Sequence, residues 1–199
     1  MESSKFKLVL GSQSPRRKEL LSWLKIEYEI VTADLDEVSL ELIPTKIAVD
    51  LALQKARAVA SRCEAKKNNF IIAADTIVVL DNIIYGKPKD RTDAERILNE
   101  LSGKEHQVIT GVCFLYQNQV HLFFDQTDVT FNQIDLELMK NYLDTNDSLD
   151  KAGAYGIQGP SLTFISKLNG SYSNVVGFPL DKIVSELKLL FGTEWRTRF

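Results

Sequence analysis

The stretch "FIIAADTIVVL", Phe70 to Leu80, constrains this chain more than any other. An apolar run of this kind is a β-strand pattern, yet Asp75 stands in its middle, where an ionised carboxylate without a partner is costly. The fold must either carry that residue out to solvent at a strand end or supply a group that compensates it. In the second case a carboxylate fixed on a rigid strand suits a general base or a metal ligand.

The flanking pattern is α/β. "FKLVL" (Phe6 to Leu10) reads as strand, "PRRKELLSWL" (Pro15 to Leu24) as helix and "YEIVTA" (Tyr28 to Ala33) as strand, with Ser14 at the N-cap and Pro15 at the first helical position. A second helix is expected over Thr45 to Arg62, with Ile47, Leu51 and Ala58 on its apolar stripe. Lys55 falls on the same stripe, so its ammonium must snorkel outward or enter a polar cavity. A cleft shared with Asp75 is the simpler explanation for both residues. Next come "NIIYG" (Asn82 to Gly86) after a tight "LDN" turn, then the helix "TDAERILNELSG", with a capping box from Thr92 to Glu95 and a stop at Gly103.

Strands dominate the second half: His106 to Tyr116, Gln119 to Phe124, Thr127 to Phe131 and Leu162 to Leu168, with helices near Leu136 to Leu143 and Leu180 to Phe191. No linker, repeat or low-complexity tract divides the chain. Residues 1–199 are therefore expected to form one domain, two lobes on a shared sheet with a ligand cleft between them.

Charge and cysteine usage narrow the chemistry. A formal net charge of -3 gives no global attraction to nucleic acid, so anion binding must come from a local cluster. "SQSPRR" is such a cluster, placing serines and two arginines where a strand turns into a helix, whose N-terminal N–H groups favour phosphate. Cys63 and Cys113 lack CxxC spacing, which argues against zinc or a disulfide framework and points to a reducing, cytoplasmic setting. No signal segment or membrane anchor is visible, and His106 and His121, without HExxH spacing, read as structural.

Three further stretches carry useful groups. "YGKPKD" holds Lys87 on a rigid turn, "DLDE" (Asp34 to Glu37) offers acids for a divalent cation, and "KAGAYGIQG" (Lys151 to Gly159) allows close backbone approach to a ligand. Its Gln158 amide both donates and accepts, which suits a nucleobase edge. Together these residues point to metal-assisted chemistry on a phosphorylated small molecule.

In this order, "SQSPRR", "AADT", "GKP", "KAGAYGIQG" and "LNGSYSNVVGFPL" resemble the Maf family of nucleoside triphosphate pyrophosphatases, over nearly the whole chain. The resemblance implies a mixed, twisted central sheet flanked by helices, like that of inosine-triphosphate pyrophosphatase (Maf/Ham1), and hydrolysis of a nucleoside triphosphate to the monophosphate and pyrophosphate with Mg²⁺ or Mn²⁺. By matching motif, Ser12, Arg16 and Arg17 would hold the triphosphate, and Lys55 and Lys87 would neutralise developing charge. Asp75 would accept the proton of the attacking water, and Glu37, with Asp75, would hold the metal. Arg16, Thr76 and Gln158 resemble the branch that prefers dTTP and UTP; the 7-methyl-GTP branch places Trp, Gln and Glu there. The resemblance also implies a homodimer. A second reading, a non-catalytic nucleotide-binding regulator of cell division or septum formation, has its motive in the family's association with septum formation. A nucleic-acid-binding module is disfavoured by the negative charge and the lack of an aromatic-basic platform.

Overall fold

A computed structural model describes residues 5–35, 37–63 and 68–199. Asp36, one of the acids of "DLDE", lies outside them. Phe70 to Leu80 belongs to β3 (Asn69–Leu80), the axis of a seven-stranded mixed sheet. One edge of β3 pairs in parallel with β1 (Lys7–Leu10), which is itself parallel to β2 (Tyr28–Ile30). At the far end of that edge the chain turns back as β4 (Ile83–Tyr85) through Asp81 and Asn82, both at positive φ, as the "LDN" hairpin predicts. The other edge is covered by antiparallel β5 (Glu105–Tyr116), followed by β6 (Gln119–Phe131) and β7 (Ile165–Asn169). Because β1 pairs with residues 69–72 and β4 with residues 78–80, residues 73–77 of β3 have a strand on one side only. Asp75 and Thr76 lie in that gap.

Side-chain alternation along β3 explains how the helices are arranged. Ile71, Ala73, Ile77 and Val79 face α2 (Pro44–Arg62) and pack among its Ala48, Ala52, Ala56 and Val59. On the opposite face, Phe70, Ile72 and Ala74 join one apolar cluster with α1 (Pro15–Ser22) and α6 (Leu180–Phe191). Val78 and Leu80 join a second cluster with α3 (Arg91–Leu101) and α4 (Leu136–Asp144). Thr76 separates the two clusters, its register partner is Thr110, and their hydroxyls lie 3.0 Å apart. Two apolar clusters thus share one sheet face, parted by a polar seam.

At the adjacent register position Asp75 faces Gly111 on the α2 side. A Cβ on Gly111 would sit 2.2 Å from the Ala48 carbonyl oxygen, so α2 lies directly on bare strand backbone there. This close approach corrects the expected helix stripe. Ala48, Leu51, Ala52, Ala56 and Val59 are the buried positions, whereas Ala58 is partly exposed, because small residues let the helix come near. Other expectations also shift. The cap of α3 is Asp90, whose carboxylate accepts from the Asp93 N–H at 2.8 Å, two residues before Thr92. The two strands expected within Gln119 to Phe131 are one, since Asp125 and Gln126 keep unbroken register with Thr110 and Ile109. A short helix, α5 (Tyr172–Val176), lies within "SYSNVVG". The C-terminal "TEWRTRF" folds back, burying Trp195 in the first cluster and accepting the Phe6 N–H at the Arg198 carbonyl. Among the described residues no helix is long and apolar enough to cross a membrane, and both cysteines are free thiols.

Two consequences can be measured. Gly111→Ala must push α2 off the sheet, and overpacking of this kind costs about 1–3 kcal/mol or more, to be read as a lowered urea midpoint. His106 is buried against Phe131 with its Nε2 2.7 Å from the Tyr155 hydroxyl, and burial lowers its pKa to about 4. The folded state therefore resists a proton that the unfolded chain accepts below about pH 6.5, so this stabilisation is complete above that pH and declines towards pH 4. The decline is on the order of 3 kcal/mol. Urea unfolding between pH 7 and pH 4 should show a shallower loss of stability in His106→Gln than in the parent.

Candidate active site

The gap in the β3 edge opens into a cleft of about 790 Å³, and Ser12, Arg16, Arg17, Glu37, Lys55, Asp75, Thr76, Lys87 and Gln158 all line it. Residues drawn from positions 12 to 158 thus converge on one place.

The first wall is the corner between β1 and α1. Ser14 caps the helix by accepting the Arg17 N–H, Pro15 occupies the first turn, and the Ser12 hydroxyl accepts the Ser14 N–H at 3.2 Å. The two adjacent arginines then part company. Arg17 points inward and donates from Nε to the Gly177 carbonyl at 2.7 Å, from one terminal nitrogen to the Ala74 carbonyl at 2.8 Å and from the other to the Thr76 hydroxyl at 3.0 Å. Burial pulls its pKa below the ordinary arginine value while Asp75 and Glu37 oppose that pull, and a guanidinium keeps its charge regardless. Arg16 points across the cleft mouth and meets Asp150 at 3.1 Å.

The floor is Asp75. Its Oδ1 accepts from Lys55 Nζ, and the same ammonium lies 2.9 Å from Glu37 Oε2. Both unfavourable placements inferred from sequence are therefore one interaction: the lysine on the buried stripe of α2 answers the carboxylate on the apolar strand. Among the described residues no group of three or more His, Cys, Asp or Glu side chains gathers as a metal cage. Asp75 and Glu37, two carboxylates lining a cleft that also carries cationic side chains, are nevertheless hard oxygen donors of the kind a divalent cation takes together with water and other oxygen ligands.

The far wall comes from the turn after β4 and the glycine-rich loop. Gly86, preceding Lys87, accepts the Gly153 N–H at 3.1 Å, which ties turn and loop together. Lys87 and Gln158 are exposed at the cleft, and Tyr155 is anchored below them by His106. The described lining carries Arg16, Arg17, Lys55, Lys87 and Lys151 against Asp34, Glu37, Asp75 and Asp150. One cleft thus offers ammonium and guanidinium groups to a polyanion and carboxylates to a cation.

Sequence reasoning missed the support behind Thr76. Thr110 donates to the Asn174 carbonyl at 3.0 Å, and the Asn174 amide donates to the Val108 carbonyl at 3.0 Å and to the Thr127 hydroxyl at 2.9 Å. Strand pairing brings these residues together, and no local spacing announces it. Asp150 was also missed, although it immediately precedes the glycine-rich motif.

Comparison with known proteins identifies relatives over most of the chain. A dTTP/UTP pyrophosphatase of Bacillus cytotoxicus is 43% identical over 183 residues, covering 92% of this chain and 94% of the relative. A protein of the same name from Ruminiclostridium cellulolyticum is 44% identical over 187 residues, covering 92% and 95%. Among solved structures, the Ham1 protein of Staphylococcus aureus aligns with a TM-score of 0.46 and 15% identity over 63% of this chain and 71% of that one. The family described as Maf-like protein matches residues 7–190, and the chain belongs to it.

Proposed function

We propose that this protein hydrolyses dTTP, UTP and related pyrimidine nucleoside triphosphates to the monophosphate and pyrophosphate. The observation that carries this reading is Asp75, fixed on a central strand at the cleft floor by Lys55 in a cleft that the start of α1 also lines. Relatives named dTTP/UTP pyrophosphatase, at 43% and 44% identity over nearly the whole chain, support the same substrates.

In this reading the triphosphate lies at the start of α1 beside Ser12, where Ser12 and Ser14 already accept the Ser14 and Arg17 N–H groups and the Arg16 N–H is left for it. Arg17, its donors given largely to protein acceptors, holds that corner against Thr76 and Gly177. Lys55 occupies Asp75 Oδ1, which leaves Oδ2 to orient a water molecule and take its proton. The water oxygen bonds to the α-phosphorus, the bond from that phosphorus to the bridging oxygen breaks, and pyrophosphate leaves with the bonding electrons. Lys87 lies on the wall where that growing negative charge can be met. Glu37 and Asp75 would hold a divalent cation with the phosphates, and such an ion supplies Lewis-acid charge at their oxygens. Thr76, Gln158 and the guanidinium of Arg16 would face the base.

Purified protein with Mg²⁺ or Mn²⁺ should release pyrophosphate from dTTP and UTP faster than from CTP, ATP or GTP; release from none of them overturns the proposal. Asp75→Asn is nearly isosteric and should lower kcat by about 10²–10⁴ while cooperative unfolding is retained. Unchanged turnover would remove Asp75 from the role of base.

A further inference from the structure

We propose that Asp150 is a positioning residue that acts through Arg16 to make the site select thymine and uracil over cytosine. The inference rests on the pyrophosphatase reading above.

Asp150 stands on the far wall of the cleft, yet its Oδ2 lies 3.1 Å from a terminal nitrogen of Arg16 on the near wall. An ion pair between two solvated side chains fixes little. Here the carboxylate is itself anchored. Its Oδ1 accepts from Lys151 Nζ at 2.6 Å, and that ammonium also donates to the Asp147 carbonyl at 2.6 Å and the Asp147 carboxylate at 2.8 Å. The other oxygen of that carboxylate accepts the Tyr142 hydroxyl at 3.1 Å, and Tyr142 is part of the second apolar cluster. The Lys151 stem passes directly over Gly156, where a Cβ would come within 2.5 Å of its Cε. A continuous line of contacts therefore runs from the second apolar cluster through Lys151 and Asp150 to Arg16 on the near wall. Burial alone would raise the Asp150 pKa, but the hydrogen bonds from Lys151 and Arg16 hold it below the ordinary carboxylate value, so it is charged at neutral pH.

The chemistry follows from what a guanidinium can do. Arg16 has donors only, and one of its terminal nitrogens is engaged by Asp150. An unrestrained arginine would follow whichever phosphate came nearest and would read nothing of the base. Held and partly neutralised, it presents its remaining N–H groups in a fixed direction to a neutral acceptor. Thymine and uracil carry a carbonyl oxygen at position 4, an acceptor that satisfies such a donor. Cytosine carries an amine there, a second donor that leaves both groups unpaired. Asp150 need not touch the nucleotide for this.

The test is a double-mutant cycle on pyrophosphate release, with kcat and KM measured for dTTP, UTP and CTP in the parent, Asp150→Ala, Asp150→Asn, Arg16→Ala and Arg16→Ala/Asp150→Ala. Asp150→Ala should lower the ratio of kcat/KM for dTTP to that for CTP by about tenfold, mainly through a higher KM for dTTP. Asp150→Asn, which keeps an acceptor for Arg16, should retain more of the ratio. With Arg16 already removed, loss of Asp150 should change the ratio less than about twofold. A ratio unchanged in Asp150→Ala and Asp150→Asn overturns the proposal, as does an equal loss for every nucleotide in both backgrounds. If the parent releases no pyrophosphate from any nucleotide, the functional reading itself fails. A parent that prefers dTTP with variants that keep the preference removes only the role of Asp150.

Discussion

The ion pair between Lys55 and Asp75 is the contact around which the site is organised, and it exists because of a missing side chain. Gly111 lies beside Asp75 in the sheet, and its bare backbone lets α2 settle close enough for a lysine on its buried stripe to reach the strand. Any larger residue there would lift the helix and leave a carboxylate and an ammonium without each other in an apolar setting, which costs more than the pair contributes when intact. Glu37 approaches the same ammonium, so the loop after β2 is drawn to the cleft by the contact that satisfies the strand.

The same stretch of sheet has a second use. On the face away from α2, Thr76 and Thr110 interrupt the apolar alternation of both strands, and the two clusters they separate belong to different groups of helices. Arg17 enters at this seam and connects Thr76, the Ala74 carbonyl and Gly177. Two arginines adjacent in sequence thus do different work, one organising the interior and the other standing at the mouth, because successive residues of a helix point about 100° apart.

Much of this was legible from residue types alone. Asp75 and Lys55 each broke an apolar pattern, and a broken pattern asks for a partner whose identity the geometry then supplies. Ser14 and Pro15 marked the start of α1 because their preferences are local to the backbone. The residues that escaped notice act at a distance. Thr110 and Asn174 are ordinary polar residues until strand register stacks them behind Thr76, and Asp150 looks like any loop acid until Lys151 aims it across the cleft. The misplaced cap of α3 has a different cause: Asp90 and Thr92 are both competent, and only the path of the chain after Pro88 decides between them.

The gap in the edge of β3 also bears on how the molecule stays apart from others. An uncovered strand edge is a template for foreign chains, and sheets commonly protect theirs with charge or with short length. Here the unpaired span is only residues 73–77, largely buried and closed at either end by β1 and β4, and a guanidinium already caps the Ala74 carbonyl within it. An opening that admits a small, highly charged molecule is in this way kept shut to polypeptide.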